Sequence, residues 1–216
     1  MFSSVLFLIF AYILGSFPSG YLITRWSTGK NILKIGWRKT SGSNIYRHIG
    51  KWQGLLTGIL DMAKGYLAVY LAQKLGFSSD VQVLSGVAAV TGHNWSCFLR
   101  FAGGRGIGTF IGAASALSPG VFWLSFISFV LFSFILNSAI ATFIFLATVL
   151  FLSIHFYQLE TIGLFTILCL LPILIKRLSP IEEIFPLKEK KILIKNRLIF
   201  DNDEIRPIKI KRLFSK

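Results

Sequence analysis

Residues 106–159 contain no Asp, Glu, Lys or Arg. The outward face of a water-soluble helix or strand needs charge, so an uncharged run of this length does not belong to a soluble domain. One membrane-crossing helix takes about 20 apolar residues. The run is far longer, so it must fold back at least once inside a bilayer. Across the chain 54% of residues are hydrophobic and 15% charged, a low charge content for a soluble domain. The sequence therefore predicts an all-α, polytopic integral membrane protein.

Hydropathy divides the chain into candidate spans at 2–23, 54–75, 81–99, 107–117, 121–136, 139–156 and 162–175, separated by glycine, proline and polar breaks. The first has no charge before Arg25 and no small-residue cleavage site, so it reads as a permanent span rather than a cleaved leader. The segment 107–117 is short, about 17 Å at ~1.5 Å per residue, and is expected to continue through adjacent residues. Charge sets the orientation. Seven basic and no acidic residues lie between Arg25 and Lys51, and twelve Lys or Arg against six Asp or Glu between Lys176 and Lys216. The positive-inside rule puts both regions in the cytoplasm. Parity then favours about seven transmembrane helices, with the N-terminus outside and the C-terminus cytoplasmic. The expected organisation is one transmembrane domain, 1–178, and a basic cytoplasmic tail, 179–216. The net charge of +14 is accounted for by anchoring against anionic membrane lipids, so no nucleic-acid partner is expected.

The stretch Gly92-His93-Asn94-Trp95 through Phe101-Ala102-Gly103-Gly104-Arg105-Gly106-Ile107 interrupts the apolar pattern. Closely spaced glycines let backbone N–H groups approach a ligand, and an arginine among them supplies a planar, permanent cation suited to phosphate. A helix starting at Ile107 would add its positive end. His93 is expected to be a satisfied structural histidine, with bonding a phosphate or positioning this loop as the alternatives. In the first basic loop, Thr40-Ser41-Gly42-Ser43-Asn44-Ile45-Tyr46-Arg47 offers hydroxyls, an amide and a guanidinium. Such groups suit phosphate or glycerol hydroxyls, and equally a solvated interfacial loop. Asp61 and Lys64, at i and i+3 in an apolar segment, predict a mutual ion pair, with direct substrate contact as the alternative. The run Gly15-Ser16-Phe17-Pro18-Ser19-Gly20 predicts a kink in the first span, with ligand contact as the alternative. No nucleophile elbow, Walker A loop or HxxxxD pair occurs, and neither Cys97 nor Cys169 has metal-ligand spacing, so no metal or cofactor is expected.

Gly92-His93, Phe101 and Gly103-Gly104-Arg105-Gly106 resemble the motif G-H-x-F…F-x-G-G-K-G-x-A-T of the bacterial acyl-phosphate:glycerol-3-phosphate acyltransferases (PlsY). The Gly15–Leu22 run, the segment Ser43–Lys51, and Asp61 with Lys64-Gly65 match the same family in order. The resemblance implies a bacterial inner-membrane enzyme that acylates glycerol 3-phosphate from acyl phosphate, giving lysophosphatidic acid. It implies catalytic roles for Arg47 and Arg105. It implies substrate binding by Ser43, Asn44, His93, Gly103, Gly104 and Gly106, and contact with the soluble enzyme that makes acyl phosphate. The chain departs from the motifs at Trp37, Arg38 and Lys39, where Ser-Gly-Asn is usual; at Arg105, for lysine; and at Leu171 and Leu174, for His and Asn. These departures leave open a shifted phosphoalcohol or acyl donor, or a non-catalytic lipid-phosphate binder or transporter.

Overall fold

A computed structural model describes residues 2–200. Among them there are ten α-helices, short 3-10 and π turns, and no strand. The helices are α1 (Phe2–Ser16), α2 (Ser19–Thr28), α3 (Gly42–His48), α4 (Lys51–Lys74), α5 (Ser79–Asn94), α6 (Ile107–Leu117), α7 (Pro119–Ile135), α8 (Ser138–His155), α9 (Leu164–Leu178) and α10 (Lys190–Lys195). Four helical segments are long and apolar enough to cross a membrane: Phe2–Thr28, Lys51–Lys74, Ser138–His155 and Leu159–Leu178. The apolar helices Ile107–Leu117 and Pro119–Ile135 are shorter.

Large apolar side chains on several helices point outward, among them Val5, Ile9, Leu67, Ile127 and Phe151. That is the arrangement expected where lipid, not water, meets the outer surface. Inside, Phe110 stacks on Phe165 at 4.8 Å and meets Phe145 edge-on at 5.8 Å, tying α6, α8 and α9 together. Helices α4 and α6 cross at very close range. Gly65 lies against the backbone of Thr109, and Gly112 against that of Met62.

The first span is broken rather than kinked, because Phe17 and Pro18 separate α1 from α2. Proline removes a helical hydrogen bond. The Phe17 carbonyl instead accepts one from Lys64 Nζ at 3.1 Å. The third span ends sooner than hydropathy suggests, at Asn94 rather than at 99. Ser96 turns the chain there: its hydroxyl donates to Ser16 O at 2.6 Å and accepts from the Phe98 N–H at 3.3 Å. The short segment keeps its predicted bounds but does not continue beyond them. Gly106, at φ +84°, stops α6 at one end, and Ser118 (φ −151°) with Pro119 starts a new helix at the other.

Residues 179–200 fold back onto the helix ends; the rest of the sequence-predicted tail lies outside the described residues. Lys39 Nζ donates to Ser179 O at 2.7 Å, and Asn137 Nδ2 to Ile199 O at 3.0 Å. Glu183 accepts two bonds from Arg38, at 2.5 and 2.9 Å, and one from Arg197 at 2.7 Å. Arg38's hydrogen bond, assisted by that of Arg197, holds the Glu183 carboxyl well below the usual carboxylate range, at about 2, against a smaller upward push from burial. A lowered carboxyl contributes stability that is complete above its unfolded value and disappears as pH falls towards the folded one. The side chain is 41% exposed, so solvent screens the effect. Glu183→Gln should lower Tm by about 2–4 °C at neutral pH. The gap from wild type should persist down to about pH 5 and close by about pH 2. A gap that widened on acidification would refute the clamp.

Candidate functional site

Three segments distant in sequence meet at one end of the bundle: the loop before α4, the glycine loop before α6, and the C-terminal end of α9. The Thr40 N–H bonds Gly103 O at 3.3 Å, joining the first two. Lys176 Nζ bonds Phe101 O at 3.3 Å, joining the third.

The glycine loop is wrapped tightly around the end of α5. The Gly104 N–H donates to His93 O at 3.1 Å, so that N–H is committed to the fold and not available to a ligand. A Cβ on Gly104 would run into His93 Nε2, and Gly106 sits in the left-handed region with Asn94 Oδ1 2.6 Å from where its Cβ would be. Both positions therefore require glycine. Helix α6 begins directly after them, so its N-terminal end faces the space beside Arg105.

That space is a cavity of about 720 Å³ lined by residues from α3 to α9. The volume is in the range of small-molecule sites, about 300–1,000 Å³. Its polar end carries Ser41 from the cap of α3, Ser43 and Arg47 from α3 itself, Asp61 and His93, Arg105 from the glycine loop, and Arg177 from α9. Leu55, Ile59, Met62, Ile107, Ile111 and Phe129 supply an apolar wall. Ser43 and Arg47 are exposed at the mouth, whereas Arg105 is buried. Three guanidiniums on the same lining as an apolar wall suit an anionic headgroup with an aliphatic chain.

Asp61 is the one carboxylate on the lining, and it is neutralised locally. Its Oδ1 takes a bond from Ser19 Oγ at 2.8 Å, lies 3.0 Å from Lys64 Nζ and 3.4 Å from His93 Nδ1. The predicted Asp61–Lys64 pair is thus formed, with His93 and Ser19 added to it. Lys64 also bonds Phe17 O, so the network fixes the α1–α2 break, α4 and α5 relative to one another.

Of the sequence-predicted residues, Ser43, Arg47, His93, Arg105 and Gly106 line the cavity together. Asn44, Gly103 and Gly104 are not on its lining. Asn44 is fully buried behind the wall. Its Oδ1 accepts the Trp37 N–H at 3.0 Å, and its Nδ2 donates to Ile35 O at 3.2 Å and Lys39 O at 2.8 Å. Both amide hydrogens are committed to backbone carbonyls, so Asn44 shapes the loop from behind the wall.

Arg177 was not singled out as a site residue by sequence. It is buried, donates to Ala139 O at 3.1 Å, and lies over the Phe143 ring at 5.0 Å. The signal for it is that Arg177-Leu178 keeps the end of the family's R-H-x-x-N-x-x-R-L motif, at the basic end of the last span. Ser138 and Thr142, also on the lining, gave none. Leu171, by contrast, faces outward at 65% exposure, so α9 reaches the polar end through Arg177.

The chain matches the family model described as glycerol-3-phosphate acyltransferase over residues 5–186. It is 32% identical over 210 residues to glycerol-3-phosphate acyltransferase 5 of Dehalococcoides mccartyi, covering 93% of this chain and 90% of that protein. A glycerol-3-phosphate acyltransferase of Synechococcus is 43% identical over 116 residues, a stretch that spans 52% of this chain and 58% of the relative. The crystal structure of PlsY (YgiH), an integral membrane glycerol 3-phosphate acyltransferase in its glycerol 3-phosphate form, superposes with a TM-score of 0.75. It has 27% identity, over 85% of this chain and 92% of that one. A second form of that protein, with lysophosphatidic acid, gives a TM-score of 0.70 at 26% identity.

Proposed function

Because the chain belongs to the glycerol-3-phosphate acyltransferase family, we propose that it transfers a fatty acyl group from acyl phosphate to glycerol 3-phosphate, the first acylation of phospholipid synthesis. The observation that carries this reading is the cavity itself, whose lining combines Arg47, Arg105 and Arg177 with an apolar wall.

The chemistry asks little of the protein beyond binding and orientation. Acyl phosphate is a mixed anhydride and already activated. The C1 hydroxyl oxygen of glycerol 3-phosphate attacks the acyl carbon, and the bond from that carbon to the phosphate oxygen breaks. Inorganic phosphate departs with the hydroxyl proton, leaving 1-acyl-glycerol 3-phosphate, a lysophosphatidic acid. Arg47 and Arg105 hold the phosphates, and Arg177 adds a third cation for the charge that develops on the leaving group. Ser43 orients the glycerol hydroxyls. His93 supports the glycine loop, while Asn44, Gly103 and Gly104 shape the segments that present these groups. The acyl chain lies along Leu55, Ile59 and Ile111.

The same reading sets the topology. The segments α1–α2, α4, α5, α6, α7, α8 and α9 make about seven crossings, with α6 the shortest. The N-terminus lies outside, and the polar end of the cavity faces the cytoplasm of a bacterial inner membrane. Residues 1–178 form the membrane domain and 179–216 the basic cytoplasmic segment. That basic face is where the soluble enzyme supplying acyl phosphate would deliver its product.

Phosphate release from palmitoyl phosphate by the purified protein tests the proposal. Release should depend on glycerol 3-phosphate and match the lysophosphatidic acid formed. Release that ignores glycerol 3-phosphate, or none at all, would overturn it.

A further inference from the structure

Trp37 is almost buried, yet it does not line the cavity. Two guanidiniums from separate segments converge on its indole. The Arg105 guanidinium carbon, from the glycine loop, lies over the ring 4.4 Å from its centroid, and that of Arg47, from α3, lies 5.1 Å away. The main chain beneath the ring is fixed, because the Trp37 backbone N–H donates to Asn44 Oδ1 at 3.0 Å, and His48 abuts the indole edge-on at 5.7 Å.

From this geometry we infer that Trp37 is a positioning residue that aligns Arg47 and Arg105 for the substrate phosphate. The inference rests on the reading of those arginines given above. Two neighbouring cations repel, and each sits on a long side chain with many rotamers. The face of an indole is electron-rich and attracts both. A planar guanidinium stacks on such a face, whereas an ammonium is only a point charge. Trp37 thereby draws the two arms together before the substrate arrives and lowers the ordering cost of gripping it. Having no place on the lining, it acts only through the arginines.

The prediction separates this role from simple space-filling. Trp37→Leu keeps an apolar side chain but loses the π face, whereas Trp37→Phe keeps a weaker face. Steady-state kinetics with palmitoyl phosphate should show KM for glycerol 3-phosphate raised about tenfold in the Leu variant. In the Phe variant the rise should be about threefold, with kcat within about twofold in both. Glycerol 3-phosphate affinity by calorimetry should follow the same order. Equal KM values for Leu and Phe would overturn the assignment, as would a Leu variant matching wild type. Should the Leu variant not fold, the Phe variant decides alone: a raised KM at unchanged Tm supports the role, and an unchanged KM overturns it. Wild-type protein without glycerol-3-phosphate-dependent release would instead overturn the functional reading, so the two failures are distinguishable.

Discussion

Arg105→Ala is expected to lower acyl transfer by about 100- to 1,000-fold, the usual consequence of removing one preorganised donor from a developing negative charge. Arg105 is 7% exposed, lies over Trp37, and is flanked by glycines whose Cβ-less backbone brings it to the cavity. No neighbour on the glycine loop can take its place, because Gly104 and Gly106 have no side chains. Arg105→Lys should recover part of the activity, since it restores the charge but not the planar fork. Both variants should be recovered from membranes at wild-type levels, and the readout is phosphate release in detergent. Wild-type rates from the alanine variant would remove Arg105 from the mechanism.

The largest expected loss of stability follows Asp61→Ala. Asp61 is 3% exposed and Lys64 6% exposed, so removing the carboxylate leaves a buried ammonium whose other hydrogen bond is to Phe17 O. Breaking a buried pair from one side costs about 3–5 kcal/mol, because the remaining charge is uncompensated. For a chain of this size that corresponds to roughly 10 °C in Tm, or to no folded protein at all. Asp61→Leu combined with Lys64→Met removes both charges together and should be markedly more stable than Asp61→Ala alone. A single variant that melts within about 2 °C of wild type would show that the network does not bear the load assigned to it. The same result would follow from a double variant no better than the single.

These two residues illustrate how unevenly the site was legible. The glycine–arginine loop stood out because an uncharged background makes any polar cluster conspicuous, and the segment 107–117 that hydropathy marks out after it is helix α6. The Asp61–Lys64 pair was legible because i, i+3 spacing is a property of one helix. Its connection to Ser19 and His93 was not, since those side chains come from α2 and α5. Asn44 shows the opposite situation. Its residue type suits a ligand, but its amide is used up on backbone groups of the preceding loop, which no spacing rule foretells.

The sequence by itself determined that the chain is helical and lives in a membrane, and which segment carries the glycine–arginine loop. Those properties follow from local composition, because the bilayer acts on each segment's polarity and glycine acts on its own backbone. Only the tertiary structure decided that Arg47 and Arg105 both contact the Trp37 ring, that Arg177 reaches the same cavity, and that Glu183 joins Arg38 to Arg197. Each of those is a meeting of side chains from different helices or loops. Such contacts depend on the rotation and depth of whole helices against one another, which are set by close packing such as that of Gly65 and Gly112 between α4 and α6.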